Sequence, residues 1–453
     1  MPQALRHTLL SLRDLLATAG PFVLLALLLL VVAYKVLDPN PPKTVVLATG
    51  AEQGAYAEFG KRYARALAAH GIRVELRGTA GAAENLQLLR DPGSGVDLAF
   101  VQGGADVEYA STADFEAANE GLVSLGSLFH EPVWLFYREA SAQRAFGKPQ
   151  LESLAEMARP GGWKLNIGAP GSGVPNLVKR LLAANGVAEE SLALVRKPAT
   201  PAVVALLDGE IDALVFASAP ESPLVQMLLQ TPGVKLFDFP QAEAYSRRFP
   251  FLSAVVLPRG VVDLARDMPP ANVRLIAPTA TLVAKDSLHP ALVQLFVQAA
   301  RQIHGGPGWF QRKGTFPSIE NTERPLASEA ERFYRSGPPL LQRYLPFWLA
   351  NLIDRMWVAM VSIIAILIPL SRVVPPLYEF RVRSRIFRWY GQLRRLEDAQ
   401  GVRPLPELLS ELDGLEDRAG RISVPLSYAD ELYALRSHIH MVRRRLQAQA
   451  TQT

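Results

Sequence analysis

Residues 44–103 read TVVLATGAEQGAYAEFGKRYARALAAHGIRVELRGTAGAAENLQLLRDPGSGVDLAFVQG. Three apolar, strand-like runs alternate with two helix-like segments in this stretch. The strands are predicted at 44–50, 72–79 and 97–103, and the helices at Tyr56 to His70 and 83–90. Strands that alternate with helices form a parallel sheet with helices on its faces. The stretch therefore predicts an α/β lobe.

The same alternation returns further along the chain and predicts a second lobe. Its segments are strands at 164–170 and 211–218 and helices at 174–186 and 201–210. Two longer β-rich stretches, 123–138 and 273–287, stand where a chain would cross between two lobes. Open α/β sheets bind ligands at the carboxyl ends of their strands. We therefore predict a ligand cleft between two lobes, with walls formed by Gly-, Ser- and Thr-rich loops.

The composition excludes several kinds of chemistry. The chain has 453 residues, no cysteine and a formal net charge of +5. Without cysteine there is no disulfide, no thiolate metal site and no cysteine nucleophile. The seven histidines show no H-x-x-x-H pairing, so the helical zinc motif is also missing. A mean hydropathy of +0.11 is high for a chain with 20% charged residues, and it indicates a globular body with membrane segments.

Two apolar segments divide the chain. The first, residues 21–37, is close to the lower length limit of a spanning helix, which needs roughly 20 residues. It is either the apolar region of a signal peptide or an uncleaved anchor, and the lack of a small-x-small cleavage site after it favours the anchor. The second segment, residues 347–371, is followed by a dense arginine flank, which is typical of a cytoplasmic loop.

These segments predict five regions with one consistent topology. They are a cytoplasmic N-terminus (1–20), a transmembrane anchor (21–37), an outer two-lobe domain (38–345), a transmembrane helix (347–371) and a cytoplasmic basic helical tail (372–453). The tail shows helical periodicity from Leu377 to Ala399 and from Ser427 to Ala448. A basic hairpin of this kind either lies on anionic lipid, dimerises, contacts a partner, or is only a solvated positive-inside anchor.

The loop GAPGSGVPN (168–176) excludes two catalytic motifs. A nucleophile elbow needs glycine two residues before and after the serine, but Pro170 and Val174 stand at those positions around Ser172. A Walker A loop needs Lys and then Ser or Thr, where this chain has Val174 and Pro175. Two interpretations remain: a backbone that receives an anion at a helix start, or a serine that only caps the helix.

Other polar residues near the predicted cleft each have two interpretations. Asn85 is either a ligand donor or a side chain bonded to its own turn. Tyr56 either faces the cleft or packs in the core, and Gln102 is a stronger ligand donor, because an amide at the end of a buried strand must find a partner. His130 and Glu131 form either an acid–base pair or a turn. These loops contain no carboxylate pair, Ser-His-Asp set or metal cluster, so we expect binding without catalysis.

An ordered series of motifs resembles the TAXI family of TRAP-transporter solute-binding proteins. The motifs are ATGAEQGAY, GTAGAAENLQLL, VDLAFVQGGA, LFHEPVWLFYR, IGAPGSGV and LDGEIDALVFAS. The resemblance implies a type II periplasmic-binding-protein fold of two lobes, which closes around a small organic anion such as an amino acid or a dicarboxylate. In this chain, two transmembrane helices and a C-terminal helical tail would flank that fold.

The resemblance also implies ligand-binding residues, through the family patterns T-G-x-x-x-G-x-Y, T-x-G-S-x-x-N and P-G-S-G-T. Matching positions, together with Gly54 and Gln102, give ten candidate ligand-binding residues: Thr49, Gly50, Gly54, Tyr56, Thr79, Gly81, Asn85, Gln102, Ser172 and Gly173. Ala82 and Val174 stand where the family has Ser and Thr. Two hydroxyl donors are therefore missing, and a different or weakly bound ligand would follow.

The leading hypothesis is a membrane-tethered solute-binding protein that presents a small carboxylate to TRAP-type permease subunits. Its main domain would lie in the periplasm of a bacterium, anchored in the inner membrane, with the tail in the cytoplasm. The alternative is a receptor that signals through the second span to the tail. An enzyme is the weakest hypothesis. We expect membrane lipids as partners, and no cofactor, metal or nucleic acid.

Overall fold

A computed structural model describes residues 20, 22–52, 54–107, 109, 111–158, 163–338, 340–399, 402–420 and 429–450. Asp38–Asp354 form one compact unit, and the described residues outside that range form a second unit. The predicted N-terminal region lies outside the described residues up to residue 19, as does Gln53.

The first lobe of the larger unit is built on a six-stranded sheet. Its strands are β1 (Thr44–Ala48), β2 (Arg73–Arg77), β3 (Leu98–Gln102), β4 (Leu122–His130), β10 (Leu252–Leu257) and β11 (Val273–Lys285). The strand order is β10-β11-β3-β1-β2, and β4 also pairs with β11. Strand β1 is parallel to β2 and β3, and β11 is antiparallel to its three neighbours.

The second lobe is built on a five-stranded sheet. Its strands are β5 (Val133–Arg138), β6 (Lys164–Asn166), β7 (Ala193–Val195), β8 (Ala213–Ala217) and β9 (Val234–Leu236). The strand order is β7-β6-β8-β5-β9. Strand β6 is parallel to β7 and β8, whereas β5 is antiparallel to β8 and β9. Two α/β lobes are therefore present, and the predicted periplasmic-binding-protein architecture is confirmed.

Helices cover both sheets, and most of them bury an apolar face against their own lobe. Those of the larger unit are α2 (Ala55–Ala68), α3 (Ala82–Arg90), α4 (Thr112–Ala118), α5 (Glu139–Phe146), α6 (Val174–Ala184), α7 (Ala199–Asp208), α8 (Pro223–Leu229), α9 (Ala242–Arg248), α10 (Pro290–His304) and α11 (Ser328–Ser336). In α2, Tyr56, Tyr63 and Leu67 are buried at helical spacing. Short 3₁₀ turns are found at Pro92–Ser94, Leu154–Ala158, Glu189–Ser191 and Leu340–Arg343.

Both predicted crossovers join the lobes. Strand β4 belongs to the first sheet and β5 to the second, so residues 131–132 turn the chain from one lobe to the other. In β11, Ile276 packs in the core of the second lobe, whereas Leu282 packs in the core of the first. A 13-residue strand thus contributes to two cores. Ten consecutive residues of this strand, 275–284, are buried, and eight of them are apolar.

Two helices contain the apolar segments. Helix α12 (Phe347–Asp398) includes Leu349–Val373, the one segment in the described residues that is long and apolar enough to cross a membrane. Helix α1 (Phe22–Leu37) is apolar but shorter, and its span stays a prediction.

The tail contains a helix that the sequence interpretation missed. Helices α13 (Leu405–Gly420) and α14 (Ala429–Ala450) follow α12. Leu408, Leu412 and Leu415 of α13 are buried in a common core with Leu396 of α12 and Ile439 of α14. Helix α13 carries five acidic residues and one arginine, so the tail is not basic throughout. Ser427, the predicted start of the last helix, lies outside the described residues.

Candidate functional site

A cavity of about 460 Å³ lies between the two lobes. The first lobe contributes the loop after β1, the start of α3 and the end of β3, and the second contributes the loops after β6, β7 and β8. Six of the ten candidate residues line it: Gly50, Gly54, Tyr56, Gly81, Gln102 and Ser172. Ligand binding by them stays a prediction, but the geometry brings them together.

Three of the other candidates form a hydrogen-bond network within the first lobe. Asn85 is fully buried, and its Nδ2 donates to the carbonyls of Thr49 and Phe100. Its Oδ1 accepts from the hydroxyl of Thr79 at 2.7 Å. These bonds use both N–H groups of the amide and one lone pair of its oxygen. In this structure, Asn85 and Thr79 connect strand ends and do not line the cavity wall.

The PGSG loop of the second lobe contacts the first lobe directly. The carbonyl of Gly171 accepts hydrogen bonds from the backbone N–H groups of Ala83 and Glu84, each at 3.1 Å. Two backbone N–H groups before α3 also have protein acceptors. The N–H of Ala80 donates to Glu84 Oε2, and the N–H of Gly81 donates to Thr79 Oγ1. Four of the backbone N–H groups at the start of α3 therefore already have protein acceptors.

The capping interpretation of Ser172 is wrong. Gly173, with φ +81°, is the N-cap of α6, and no side chain caps this helix. The Ser172 hydroxyl instead donates to the carbonyl of Ala169 at 2.8 Å. Gly173 does not line the cavity. A Cβ at this position would come within 2.8 Å of Ala105 Cβ, so a glycine is needed where the lobes approach.

Three helices of at least ten residues begin at the cavity. Ala55 and Tyr56 of α2, Val174 of α6 and Ala199 of α7 all line it. A helix N-terminus carries a partial positive charge from its aligned peptide dipoles. Among the described lining residues there is no lysine, arginine or histidine. Partial positive charge among these residues therefore comes from backbone N–H groups at the helix starts.

Glu131 is a buried carboxyl in the cavity wall that the sequence interpretation did not select as a ligand contact. It is 3% exposed, lines the cavity and accepts a 2.8 Å hydrogen bond from the hydroxyl of Tyr56. Burial raises the pKa of Glu131 to about 8, although the bond from Tyr56 acts in the opposite direction. The feature of the sequence that could have identified Glu131 was its position before Pro132, at the crossing between the lobes.

His130 and Glu131 are not an acid–base pair at one site. His130 lines a second cavity of about 370 Å³, and Glu131 does not line that cavity. Burial lowers the pKa of His130 to about 4, so the ring is neutral near pH 7. In the part of the chain that the structure describes, no group of three or more His, Asp and Glu residues could hold a metal ion.

Polar contacts beside the cavity connect the two lobes. Asn176 Nδ2 and Arg180 Nη2 of α6 donate to the carbonyls of Ala105 and Asp106, at 2.8 Å and 2.9 Å. The carboxylate of Asp106 is paired with Arg90 and Arg324. Arg324 lies far along the chain, and its side chain is only 2% exposed. Two hydrogen bonds therefore join α6 of the second lobe to the segment after β3 in the first.

Comparison with known proteins gives one family. The chain matches the sequence profile of the NMT1-like family over residues 47–336. The match does not name the TAXI family, so that assignment stays a prediction.

Solved structures similar to this chain include two sulfonate-binding proteins and an effector-binding domain. The alkanesulfonate-binding protein SsuA from Xanthomonas axonopodis pv. citri, bound to MOPS, has 14% identity over 58% of this chain and 74% of its own, with a TM-score of 0.36. The periplasmic aliphatic sulphonate binding protein SsuA from Escherichia coli has 16% identity over 75% and 94%, with a TM-score of 0.34. The BenM effector binding domain with its effector benzoate has 12% identity over 60% and 100%, with a TM-score of 0.36. Because these TM-scores are low, the ligands of the three proteins do not indicate what this chain binds.

Proposed function

The chain belongs to the NMT1-like family, and from this we propose that it is a membrane-tethered solute-binding protein whose interlobe cavity holds a small organic anion. The observation that carries the proposal is the cavity itself, which has walls from both lobes and three helix starts directed to it. Ligand sites in proteins are typically clefts of about 300–1,000 Å³ between such elements. Catalysis is not part of the proposal.

In this proposal, the two-lobe domain lies in the periplasm and is anchored in the inner membrane of a bacterium. The apolar segment Leu349–Val373 provides the length of a span, and residues 21–37 would provide a second one. The arginines after residue 371 favour a cytoplasmic tail next to anionic lipid. The proposed domains are those of the sequence interpretation: 1–20, 21–37, 38–345, 347–371 and 372–453.

The solute would be delivered to TRAP-type permease subunits, as the motif series of the TAXI family suggests. Two spans cannot themselves form a transport channel, so a separate permease is required. Of the candidate anions, an amino acid or a dicarboxylate is what the resemblance suggests. Co-purification of permease subunits with the full-length protein tests delivery. Full solute uptake by cells that lack this chain would contradict it.

Calorimetric titration of the full-length protein in detergent tests solute binding. The panel contains monocarboxylates, dicarboxylates, amino acids, sulfonates and neutral amides. Ala217 lines the cavity, so Ala217→Trp is expected to abolish the heat that a bound solute gives. Val204 is 53% exposed on α7, and Val204→Trp is the matched control that should retain it. No heat from any solute, or equal heat from Ala217→Trp, would contradict the proposal.

A second candidate function is ligand sensing through the tail. It is favoured by α12, which continues without interruption from the apolar segment to Asp398, where Leu396 packs against α13 and α14. Removal of residues 400–453 separates the two functions. Uptake that persists without the tail contradicts sensing as the output, whereas a solute response that is lost with the tail while binding remains supports it.

A further inference from the structure

The described residues that line the interlobe cavity include acidic side chains but no basic one. Among its described lining residues, the carboxyl groups are those of Glu52 and Glu131. Glu52 is exposed, whereas Glu131 is buried. A buried charge without a partner of opposite sign is costly. The wall therefore disfavours an ionised Glu131, and it also disfavours a ligand that brings two negative charges.

When Glu131 is protonated, its carboxyl has one O–H group that can donate a hydrogen bond to a ligand. Tyr56 donates its hydroxyl proton to Oε2, so the O–H of a protonated Glu131 remains for another acceptor. Burial raises the pKa of Glu131 to about 8, which keeps the proton in place at neutral pH. Burial also raises the pKa of Tyr56 well above its usual value. His130, next in the chain, is neutral, so Glu131 is the buried wall group that changes charge near pH 8.

Gln102 supplies a second donor in the same wall. Its side chain is 2% exposed and lines the cavity. Its Nε2 has no hydrogen-bond partner in the part of the chain that the structure describes. Buried amide groups nearly always have a partner. An acceptor on the ligand would provide one, while Val174, Phe216 and Leu224 in the wall offer apolar contact.

Resting on the proposed solute-binding function, we propose that Glu131 takes part in ligand binding as a carboxylic acid and that the cavity selects a small, largely apolar monocarboxylate. The O–H of Glu131 and the N–H of Gln102 donate to the carboxylate oxygens, and no proton is transferred. The partial positive charges of three helix starts balance one negative charge. A dicarboxylate would bury a second negative charge with no basic side chain to pair with it. An amino acid would bring an ammonium group, which cannot accept the hydrogen bond that Glu131 donates.

The test is titration of the full-length protein in detergent with hexanoate, glutarate, leucine and hexanamide, between about pH 6 and about pH 9.5. We expect hexanoate to bind most tightly. Its Kd should be constant below about pH 8 and rise about tenfold per pH unit above it, because each bound ligand requires one proton on Glu131. Glu131→Gln retains an N–H donor and should bind hexanoate with a flat pH profile. Glu120→Gln, at an exposed position that does not line the cavity, should keep the wild-type profile.

The possible outcomes separate this inference from the proposed function. Tightest binding of leucine or glutarate, or affinity for any probe that increases above about pH 8, overturns the monocarboxylate inference while solute binding stands. Heat from none of the four probes but from another member of the wider panel also overturns it. No heat from any member of the panel contradicts the proposed function itself. The wild-type pH profile needs no variant, so a Glu131→Gln protein that fails to fold leaves the inference testable.

Discussion

Asn176 donates a hydrogen bond of 2.8 Å from α6 in the second lobe to the carbonyl of Ala105 in the first. One turn later on the same helix, Arg180 donates to the carbonyl of Asp106. Neither bond involves a ligand. The protein's own hydrogen bonds therefore join the two lobes beside the cavity.

Loss of these two donors should favour the open state. The double variant Asn176→Ala, Arg180→Ala removes both bonds between the lobes. We expect solute affinity to fall roughly 5- to 70-fold, because about 1–2.5 kcal/mol of closure energy is lost. Lys179→Ala is the matched control, since Lys179 pairs with Glu189 inside the second lobe. Affinity equal to wild type in the double variant would contradict a role for these bonds in closure.

The lobe distance can be measured directly because the chain has no native cysteine. Spin labels at Glu116→Cys and Glu190→Cys, both exposed sites, report on the first and second lobes. In the labelled protein, Asn176→Ala combined with Arg180→Ala should broaden the distribution of distances between the two labels. It should also increase the mean distance when no solute is present. An unchanged distribution would show that the lobes stay closed for another reason.

Gly81→Ala should block closure more than it strains the backbone. Gly81 has φ +138°, and a Cβ there would lie 2.9 Å from Ser172 Cα on the other lobe. Gly337 also lies in the glycine-only region, with φ +74° and ψ −167°, and a Cβ there would meet no atom within 4 Å, so Gly337→Ala measures strain alone. We expect loss of solute binding and a longer lobe distance only for Gly81→Ala. Equal effects of both variants would assign the change to strain.

Glu131 should make the larger unit less stable as pH rises. Its pKa is about 8 in the folded protein, whereas the ordinary pKa of a glutamate side chain is 4.5. Between these values the unfolded chain has released a proton that the folded chain retains, so the free energy of unfolding falls with increasing pH. Glu131→Gln should remove most of this fall, a difference of a few kcal/mol between about pH 5 and pH 8. Denaturant unfolding at both pH values measures it, and Glu52→Gln, which changes an exposed carboxyl, should behave like wild type.

The ion cluster around Asp106 should act in the opposite direction. Burial opposes ionisation of the Asp106 carboxyl. The hydrogen bond and charge of Arg90, together with the charge of Arg324, outweigh burial, so the pKa of Asp106 is lowered. Its contribution is therefore complete above the unfolded value of 3.8 and is lost as pH falls through the folded value. Asp106→Asn should cost about 3–5 kcal/mol at neutral pH, since it leaves two arginines poorly paired.

Acid titration of the difference between wild type and Asp106→Asn checks this sign. The difference in unfolding free energy should shrink as pH drops below about 4. Asp208→Asn changes an exposed residue at the end of α7 and should shift stability by less than about 0.5 kcal/mol. A difference that stays constant in acid would contradict the ionised state of Asp106.

The two lobes could be predicted because their strands are buried and continuous in sequence. Runs such as VDLAFVQG have few polar residues, and they end at glycines where the loops begin. Helix α13 was missed because Gly414, Pro406 and its many acidic residues make it resemble a linker. Only the packing of Leu408, Leu412 and Leu415 against neighbouring helices explains why it folds.

The sequence predicted which loops reach the candidate site, but not which hydrogen bonds form there. Loops after parallel strands meet at one edge, so Gly50, Gly81 and Ser172 reach the cavity. Sequence alone could not show that Asn85 uses its amide inside its own lobe. Nor could it show that the Gly171 carbonyl occupies the start of α3. Both depend on the distance between elements that are far apart in the chain.

Hydrogen exchange of the full-length protein, with and without a saturating solute found by titration, tests the central claim most directly. If the solute is held between the lobes, protection should increase together at the loop after β1 (residues 50–56), the loop after β6 (168–174) and the start of α7 (198–201). The tail helices α13 and α14 should exchange as before. Protection on one lobe only, or confined to the tail, would contradict a solute site between the lobes.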